Sequence, residues 1–279
     1  MTLGGMNITK RKLTAYIGSY FALGFFLALI FVSSCARRNS ETDNSPAESD
    51  RNMGHITVYS AVSLTEVMFE LAEIFEHDHG IKVKLNLASS GTLARQIEQG
   101  GSPDIFISAN RKWWNHIDKS GLTSDDLKTT IGNNALVLIS HDEMDSGISL
   151  QQALEDFENV KNKRLVIGDP AHVPAGIYAK QALENIGYFI ELKKNILKVK
   201  DVRAALMLVE LKEADYGIVY RTDALRSERV TIVGTFPANS HDKIVYYAGV
   251  INDVAAARLF FNFLRSEKAI SVWENNGFM

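Results

Sequence analysis

The sequence predicts an α/β protein of two units of comparable size, each a mostly parallel sheet flanked by helices. Three observations carry this expectation. Short β-branched runs alternate with segments of helical spacing, first between residues 55 and 108 and again between 135 and 220. The 279 residues suffice for two compact units at roughly 100–200 residues each. With 46% hydrophobic and 23% charged residues, the composition is that of a globular chain and not of a disordered one.

The first series opens with the β-branched run His55–Ser60 (HITVYS). Leu64–His77 follows, with Leu64, Val67, Met68, Leu71, Ile74 and Phe75 on one helical face, and Gly80 ends it. Lys82–Leu87 (KVKLNL) is the next strand, Leu93, Ala94 and Ile97 mark a short helix, and Asp104–Ser108 (DIFIS) is an almost wholly apolar strand. Strand and helix alternating at this spacing describe βαβ units on a parallel sheet. The second series has a strand at Ala135–Ser140 (ALVLIS), a helix near Leu150–Phe157 and a strand at Arg164–Gly168 (RLVIG). Helices from Pro174 to Ile186 and from Val202 to Lys212 come next, then the strand Tyr216–Tyr220 (YGIVY). Strands at Val230–Val233 and Ile244–Ile251 and an amphipathic helix through Leu259, Phe260, Phe263 and Leu264 close the chain. No internal sequence repeat is found, and the patterns leave strand order open.

Charge and cysteine content exclude several functions. The 30 Lys+Arg against 33 Asp+Glu give a net charge of −3, which argues against nucleic-acid binding. A single cysteine excludes a disulfide scaffold and a cysteine-rich metal cluster.

The N-terminus reads as an address. Lys10, Arg11 and Lys12 precede an unbroken run of twelve apolar or small residues from Phe21 to Val32, and no acidic residue occurs before Glu41. A basic region, an apolar region and small residues describe a secretory signal over residues 1–34. The run is shorter than the roughly 20 residues of a membrane span. Val32-Ser33-Ser34-Cys35 resembles a bacterial lipobox, which implies cleavage before Cys35, lipid on its thiol and a mature net charge of −6. Residues 35–52 then form a lipidated, flexible tether with almost nothing to bury, and the fold begins at Met53.

Four helix beginnings could hold an anion, because a helix N-terminus offers free N–H donors and about half a positive charge. Ser63-Leu64-Thr65-Glu66 has the pattern of a capping box, in which the serine serves an amide three residues on and Glu66 reaches back. Ala88-Ser89-Ser90-Gly91-Thr92 puts small hydroxyl residues and a glycine at the start of the next helix. His172-Val173-Pro174-Ala175-Gly176 places Pro174 at a first helical position and leaves the Ala175 amide unpaired; Asp201-Val202-Arg203 does the same for Val202, with Asp201 as cap. Neither serine loop contains Arg or Lys, so an anion held there would rest on neutral donors. Other constellations weigh less. His77-Asp78-His79 has metal-ligating residue types but ends a surface helix in a hydrophilic turn, and Trp113-Trp114 reads as a helix docking on its own unit more than as a sugar-stacking platform. No G-x-S-x-G elbow and no phosphate-binding P-loop occurs.

Together these blocks resemble the periplasmic molybdate-binding proteins of ABC transporters. Ile56–Thr65, Ala88–Ile97, Pro103–Ala109, Gly168-Asp169-Pro170 with His172–Ala179, Asp201–Leu206 and Gly217–Tyr220 match in order, from about His55 to the C-terminus. The sequence departs at Gly91, where some members carry a third serine. The resemblance implies a two-lobe periplasmic-binding-protein fold of type II, with the ligand in the interlobe cleft. Lobe 1 would comprise residues 53–133 and 236–279, and lobe 2 residues 134–235. It implies that Ser63 and Ser90, the amides of Ala175 and Val202, and the hydroxyl of Tyr220 hold molybdate or tungstate. Alanine in place of Ser63 or Ser90 is then expected to weaken binding severely while leaving the fold intact. Asp201 should face its own helix, since a carboxylate cannot face a dianion.

The implied role is capture without turnover and delivery to an ABC permease and its ATPase. The protein would be a monomer outside the cytoplasm, anchored in a membrane by lipid, with no cofactor and no metal beyond that of the oxyanion. The same fold binding another tetrahedral oxyanion such as sulfate is the nearest alternative. A secreted serine-dependent enzyme and a sensory or adhesive lipoprotein are more distant ones.

Overall fold

The computed structural model describes residues 54–141, 147–159 and 163–278. The expected signal segment, Cys35 and the tether lie outside the described residues. Among the described residues, no helix is long and apolar enough to cross a membrane.

The first half contains β1 (His55–Ala61), α1 (Thr65–His79), β2 (Lys82–Ala88), α2 (Ser90–Glu98), β3 (Ile105–Ser108), α3 (Arg111–Asp118) and β4 (Lys128–Asn133). The middle contains β5 (Leu136–Ser140), α4 (Leu150–Asn159), β6 (Leu165–Gly168), α5 (Pro174–Asn185), α6 (Phe189–Leu192), β7 (Ile196–Val199), α7 (Val202–Glu210), β8 (Tyr216–Tyr220), α8 (Arg221–Leu225) and β9 (Thr231–Thr235). The chain ends with β10 (Val245–Val250), α9 (Ala255–Phe263) and α10 (Glu267–Asn275).

Two five-stranded mixed sheets result, ordered β2-β1-β3-β10-β4 and β7-β6-β8-β5-β9. In each, three strands run parallel and belong to βαβ units: β1 pairs with β2 and β3, and β6 with β7 and β8. In each, the fourth strand is antiparallel and is the one that has just arrived from the other sheet: β5 in the second, β10 in the first. The chain therefore crosses between sheets twice, at 134–135 and at 236–244. The two lobes share a topology without sharing a sequence repeat.

Burial explains the strand compositions. The inner strands β3, β5, β6 and β8 are buried at every residue, because helices cover both faces, and they read as continuous apolar runs. The edge strands β2, β4, β7 and β9 keep partly exposed positions; Lys82 and Lys84 on β2 are charges of the kind that discourage edge-to-edge pairing.

A close backbone approach fixes where α5 begins. A Cβ on Gly176 would lie 1.9 Å from the carbonyl oxygen of Gly168, the last residue of β6. No side chain can yield there, since the obstacle is backbone. Gly176→Ala is expected to lose about 1–3 kcal/mol of stability, the usual range for overpacking, which urea unfolding of the variant would measure. An unchanged midpoint would show that α5 can slide away from β6.

Candidate ligand-binding site

The βαβ units of each lobe end their strands at the seam between the lobes. A 3₁₀ turn, Val62–Leu64, follows β1, and α2 begins two residues after β2. From the other lobe come the first turns of α5 and α7 and the last residue of β8. These ends surround one cavity of about 10 Å³, which Ser63, Ser90, Ala175, Val202 and Tyr220 all line. The structure thus brings together every residue that sequence reasoning assigned to the ligand. Small apolar residues (Ala61, Ala88, Ala109 and Val173) fill much of the remaining wall, and among the described residues no charged side chain lines it. A space this small suits a compact ion; pockets for drug-sized organic ligands run to about 300–1,000 Å³.

Each donor is held by a different local device. Ser90 is the first residue of α2, and its buried Oγ accepts the Ala109 amide at 3.0 Å. Its own proton stays available for the cavity. Ser89, the residue before it, also lines the cavity, but its Oγ accepts the Thr92 amide as the helix cap and contacts the Thr92 hydroxyl at 2.8 Å. Two adjacent serines have therefore divided the work, one capping and one facing the cavity. Ala175 and Val202 stand in the first turns of α5 and α7, where no preceding turn supplies a carbonyl for their amides. Asp201 caps α7 through the Ala204 amide at 2.8 Å and does not line the cavity, as expected of a carboxylate near an anion.

Tyr220 contributes a different signal. Its hydroxyl is fully buried and has no hydrogen-bond partner, and among the described buried side chains in that condition it is the one that lines the cavity. Burial, with Tyr246 and Tyr178 nearby, raises its pKa well above the ordinary phenol value, so it remains a donor. A buried, unpartnered hydroxyl is costly unless a ligand satisfies it.

The capping box expected at Ser63-Leu64-Thr65-Glu66 does not form. Leu64 precedes α1 and no side chain caps that helix. The 3₁₀ turn rotates Ser63 toward the cavity, where its Oγ lies 3.1 Å from the Tyr246 hydroxyl. Glu66 instead forms a two-pronged pair with Arg203 of α7, with Nη1 to Oε1 at 2.9 Å. Tertiary partners across the seam win over the local cap.

Sequence reasoning missed this seam chemistry. Arg203 Nε lies 2.7 Å from Oδ1 of the buried Asp223, though its N–H is not aimed along that line. Arg226 approaches Glu66 at 3.5 Å. Two further contacts join the lobes: the Gly91 amide donates to the His172 carbonyl at 3.1 Å, and the Tyr178 hydroxyl to the Ala109 carbonyl at 3.4 Å. The cleft is closed in this structure. A Cβ on Gly91 would lie 2.3 Å from that His172 oxygen and 2.6 Å from the Trp113 ring, so a third serine has no room here. Trp113 and Trp114 are buried on α3, and Trp114 stacks on Phe106 of its own lobe, as the sequence suggested.

Residues 56–279 match the family described as bacterial extracellular solute-binding protein. The chain belongs to that family. It is 39% identical over 228 residues to the molybdate-binding protein ModA of Escherichia coli K12, covering 81% of this chain and 89% of that one. It is likewise 39% identical over 227 residues to ModA of Haemophilus influenzae, covering 80% and 89%. The fold is similar to that of the Azotobacter vinelandii periplasmic molybdate-binding protein, with a TM-score of 0.72 over 80% of this chain and 98% of that one, at 23% identity. The fold is thus the two-lobe α/β fold of the periplasmic binding proteins.

The buried Asp223 gives this solute-binding protein a pH signature. Burial pushes its carboxyl up to about 7, against the pull of Arg203. An acid whose pKa rises on folding holds more protons folded than unfolded between about pH 4 and 7, so stability falls as pH climbs through that window. Asp223→Asn removes the titrating group. Urea midpoints measured from pH 4 to 8 should therefore decline less steeply for the variant than for the parent, and equal slopes would contradict the assignment.

Proposed function

We propose that this protein captures molybdate, and tungstate with it, outside the cytoplasm and hands it to an ABC permease driven by its ATPase. Residues 1–34 act as the signal, Cys35 carries lipid, and residues 35–52 form the tether to the membrane. The protein acts as a monomer and turns nothing over; its work is capture, closure of the lobes and release. Lobe 1 (residues 53–133 and 236–279) supplies Ser63 and Ser90, and lobe 2 (residues 134–235) supplies Ala175, Val202 and Tyr220.

The observation that carries this reading is a small cavity between the lobes that, among the described residues, is lined by donors and by no charged side chain, one donor being a buried hydroxyl with no partner among those residues. Molybdate and tungstate are fully deprotonated dianions near neutral pH and offer only acceptors, so a set of donors satisfies them. Phosphate keeps a proton there and would need an acceptor in the wall. Neutral donors remain strong in a dry, low-dielectric site, and they bury no unpaired cation when the site is empty. Because donors come from both lobes, the ion favours closure. The similarity to ModA relatives over most of their length supports the choice of ion.

Thermal unfolding with molybdate, tungstate, sulfate, phosphate or nitrate at equal ionic strength tests the proposal. A ligand at 100 times its Kd adds about 2.7 kcal/mol of stability. Molybdate and tungstate should raise the Tm, and sulfate and phosphate should not; no shift with any anion would remove the function. Tyr220→Phe gives a second expectation. It should weaken molybdate binding about tenfold to hundredfold, the worth of a hydrogen bond to a charged group, while the ligand-free protein loses no stability. Ser63→Ala and Ser90→Ala should weaken binding comparably. Ser90→Ala should also cost about 1–3 kcal/mol of stability, because the Ala109 amide loses its acceptor.

A further inference from the structure

Asn134 lies at the first crossing between the lobes, between β4 and β5. Its side-chain orientation is fixed at both ends. Oδ1 accepts the amide of Ala135 at 2.9 Å, and Nδ2 donates to Thr222 Oγ1 at 2.8 Å and to the Tyr246 hydroxyl at 3.2 Å. Thr222 belongs to α8 of lobe 2 and Tyr246 to β10 of lobe 1, so the amide group ties the two lobes at the crossing.

Tyr246 is fully buried, and its hydroxyl has two partners, Asn134 Nδ2 and Ser63 Oγ. The amide can only donate, so the phenol accepts from it. The phenolic proton then has one acceptor within reach, Ser63 Oγ at 3.1 Å. Burial raises the Tyr246 pKa, so that proton is retained at neutral pH. With its oxygen accepting from Tyr246, Ser63 has its own proton left to give, and Ser63 lines the cavity.

We propose that Asn134 is a positioning residue that sets the direction of a hydroxyl relay, Asn134 Nδ2–H to Tyr246 O–H to Ser63 O–H, so that Ser63 presents a proton, and not a lone pair, to the bound oxyanion. The inference rests on the reading of Ser63 as a ligand for the ion. It assigns part of the preference for fully deprotonated oxyanions to a residue that never touches the ligand. An acceptor at position 134 would reverse the chain. Tyr246 would donate toward 134, Ser63 would donate to Tyr246, and a lone pair would face the anion.

The test is a mutant cycle read by calorimetric titration of the full chain, purified in detergent, with molybdate and separately with phosphate. Asn134→Asp should weaken molybdate binding by about 10- to 100-fold, the worth of one hydrogen bond to a charged group, and should raise phosphate affinity relative to molybdate. Tyr246→Phe breaks the relay but leaves Ser63 free to donate, so it should cost only about two- to fivefold. Adding Tyr246→Phe to Asn134→Asp should then restore most of the lost affinity. A double variant as weak as Asn134→Asp alone would assign the loss to the new charge and overturn the relay.

Asn134→Ala keeps the test decisive if the aspartate variant does not fold. It also removes the contacts to Thr222 and to the Ala135 amide, but only the contact to Tyr246 belongs to the relay, so its loss should shrink in the Tyr246→Phe background, whereas an equal loss in both backgrounds would overturn the inference. If the parent protein binds neither molybdate nor tungstate, the proposed function fails and the relay with it. If the parent binds and the cycle is additive, only the relay fails.

Discussion

In the closed cleft, the oxygen of each lobe 1 serine has a partner within the protein: Ser90 accepts from the Ala109 amide, and Ser63 pairs with the Tyr246 hydroxyl, which donates to it in the proposed relay. Each hydroxyl therefore has its own proton left to offer. The lobe 2 donors are constrained by another route, since the first-turn amides of α5 and α7 have no carbonyl partner within their helices. A cavity can thus be uniformly donating with no Lys or Arg in its wall, provided the surrounding chain directs every proton inward. Much of the local architecture serves that end: the 3₁₀ turn at Ser63, the division of labour between Ser89 and Ser90, and Asp201 turned back onto its own helix.

Charge is placed at the seam and kept out of the cavity. Arg203 follows Val202 directly in sequence, Glu66 lies three residues after Ser63, and Asp223 three after Tyr220. The ion-paired cluster therefore grows from the same helix starts as the proposed donors, one to three residues further along. Glu66 and Arg203 belong to different lobes and are only partly buried, so their attraction weakens with salt, while hydrogen bonds inside a buried cavity are screened far less. Recognition and closure thus draw on physically separable forces.

The sequence made the inner strands and the cavity-lining residues legible for the same reason: both carry dense local signals. β8 matches its expected span, Tyr216–Tyr220, because every residue is buried and apolar or aromatic apart from one glycine. β4 (KTTIGN) and β7 (ILKV) escaped notice because they are edge strands, with partial burial that leaves no clean alternation. α10 (EKAISVWEN) escaped because its apolar residues form one short stretch, Ala269–Trp273, with Ile270 exposed among them, too brief to show a helical repeat. At the site, helix-start chemistry and family blocks pointed to residues that the fold gathers around one cavity. They could not find Tyr246, Asn134 or Asp223, whose roles depend on contacts between residues more than 100 positions apart or on burial that no local pattern announces. The false capping box shows the opposite error, a local pattern whose two members are claimed by partners in distant strands and helices.

The contact between Gly91 and His172 sets a mechanical limit. Closure ends where the backbone of one lobe meets the backbone of the other, amide to carbonyl at 3.1 Å, and neither can be compressed further. The lobes therefore work like the jaws of a caliper with a fixed stop. The span between donors on opposite jaws is read off the scaffold and not from the ion. An oxyanion with shorter bonds than that span leaves some donors out of reach, and one with longer bonds holds the jaws ajar. Under the proposed function, size discrimination is then a property of a glycine outside the cavity, and the residues proposed to touch the ligand could stay unchanged while the gauge is reset.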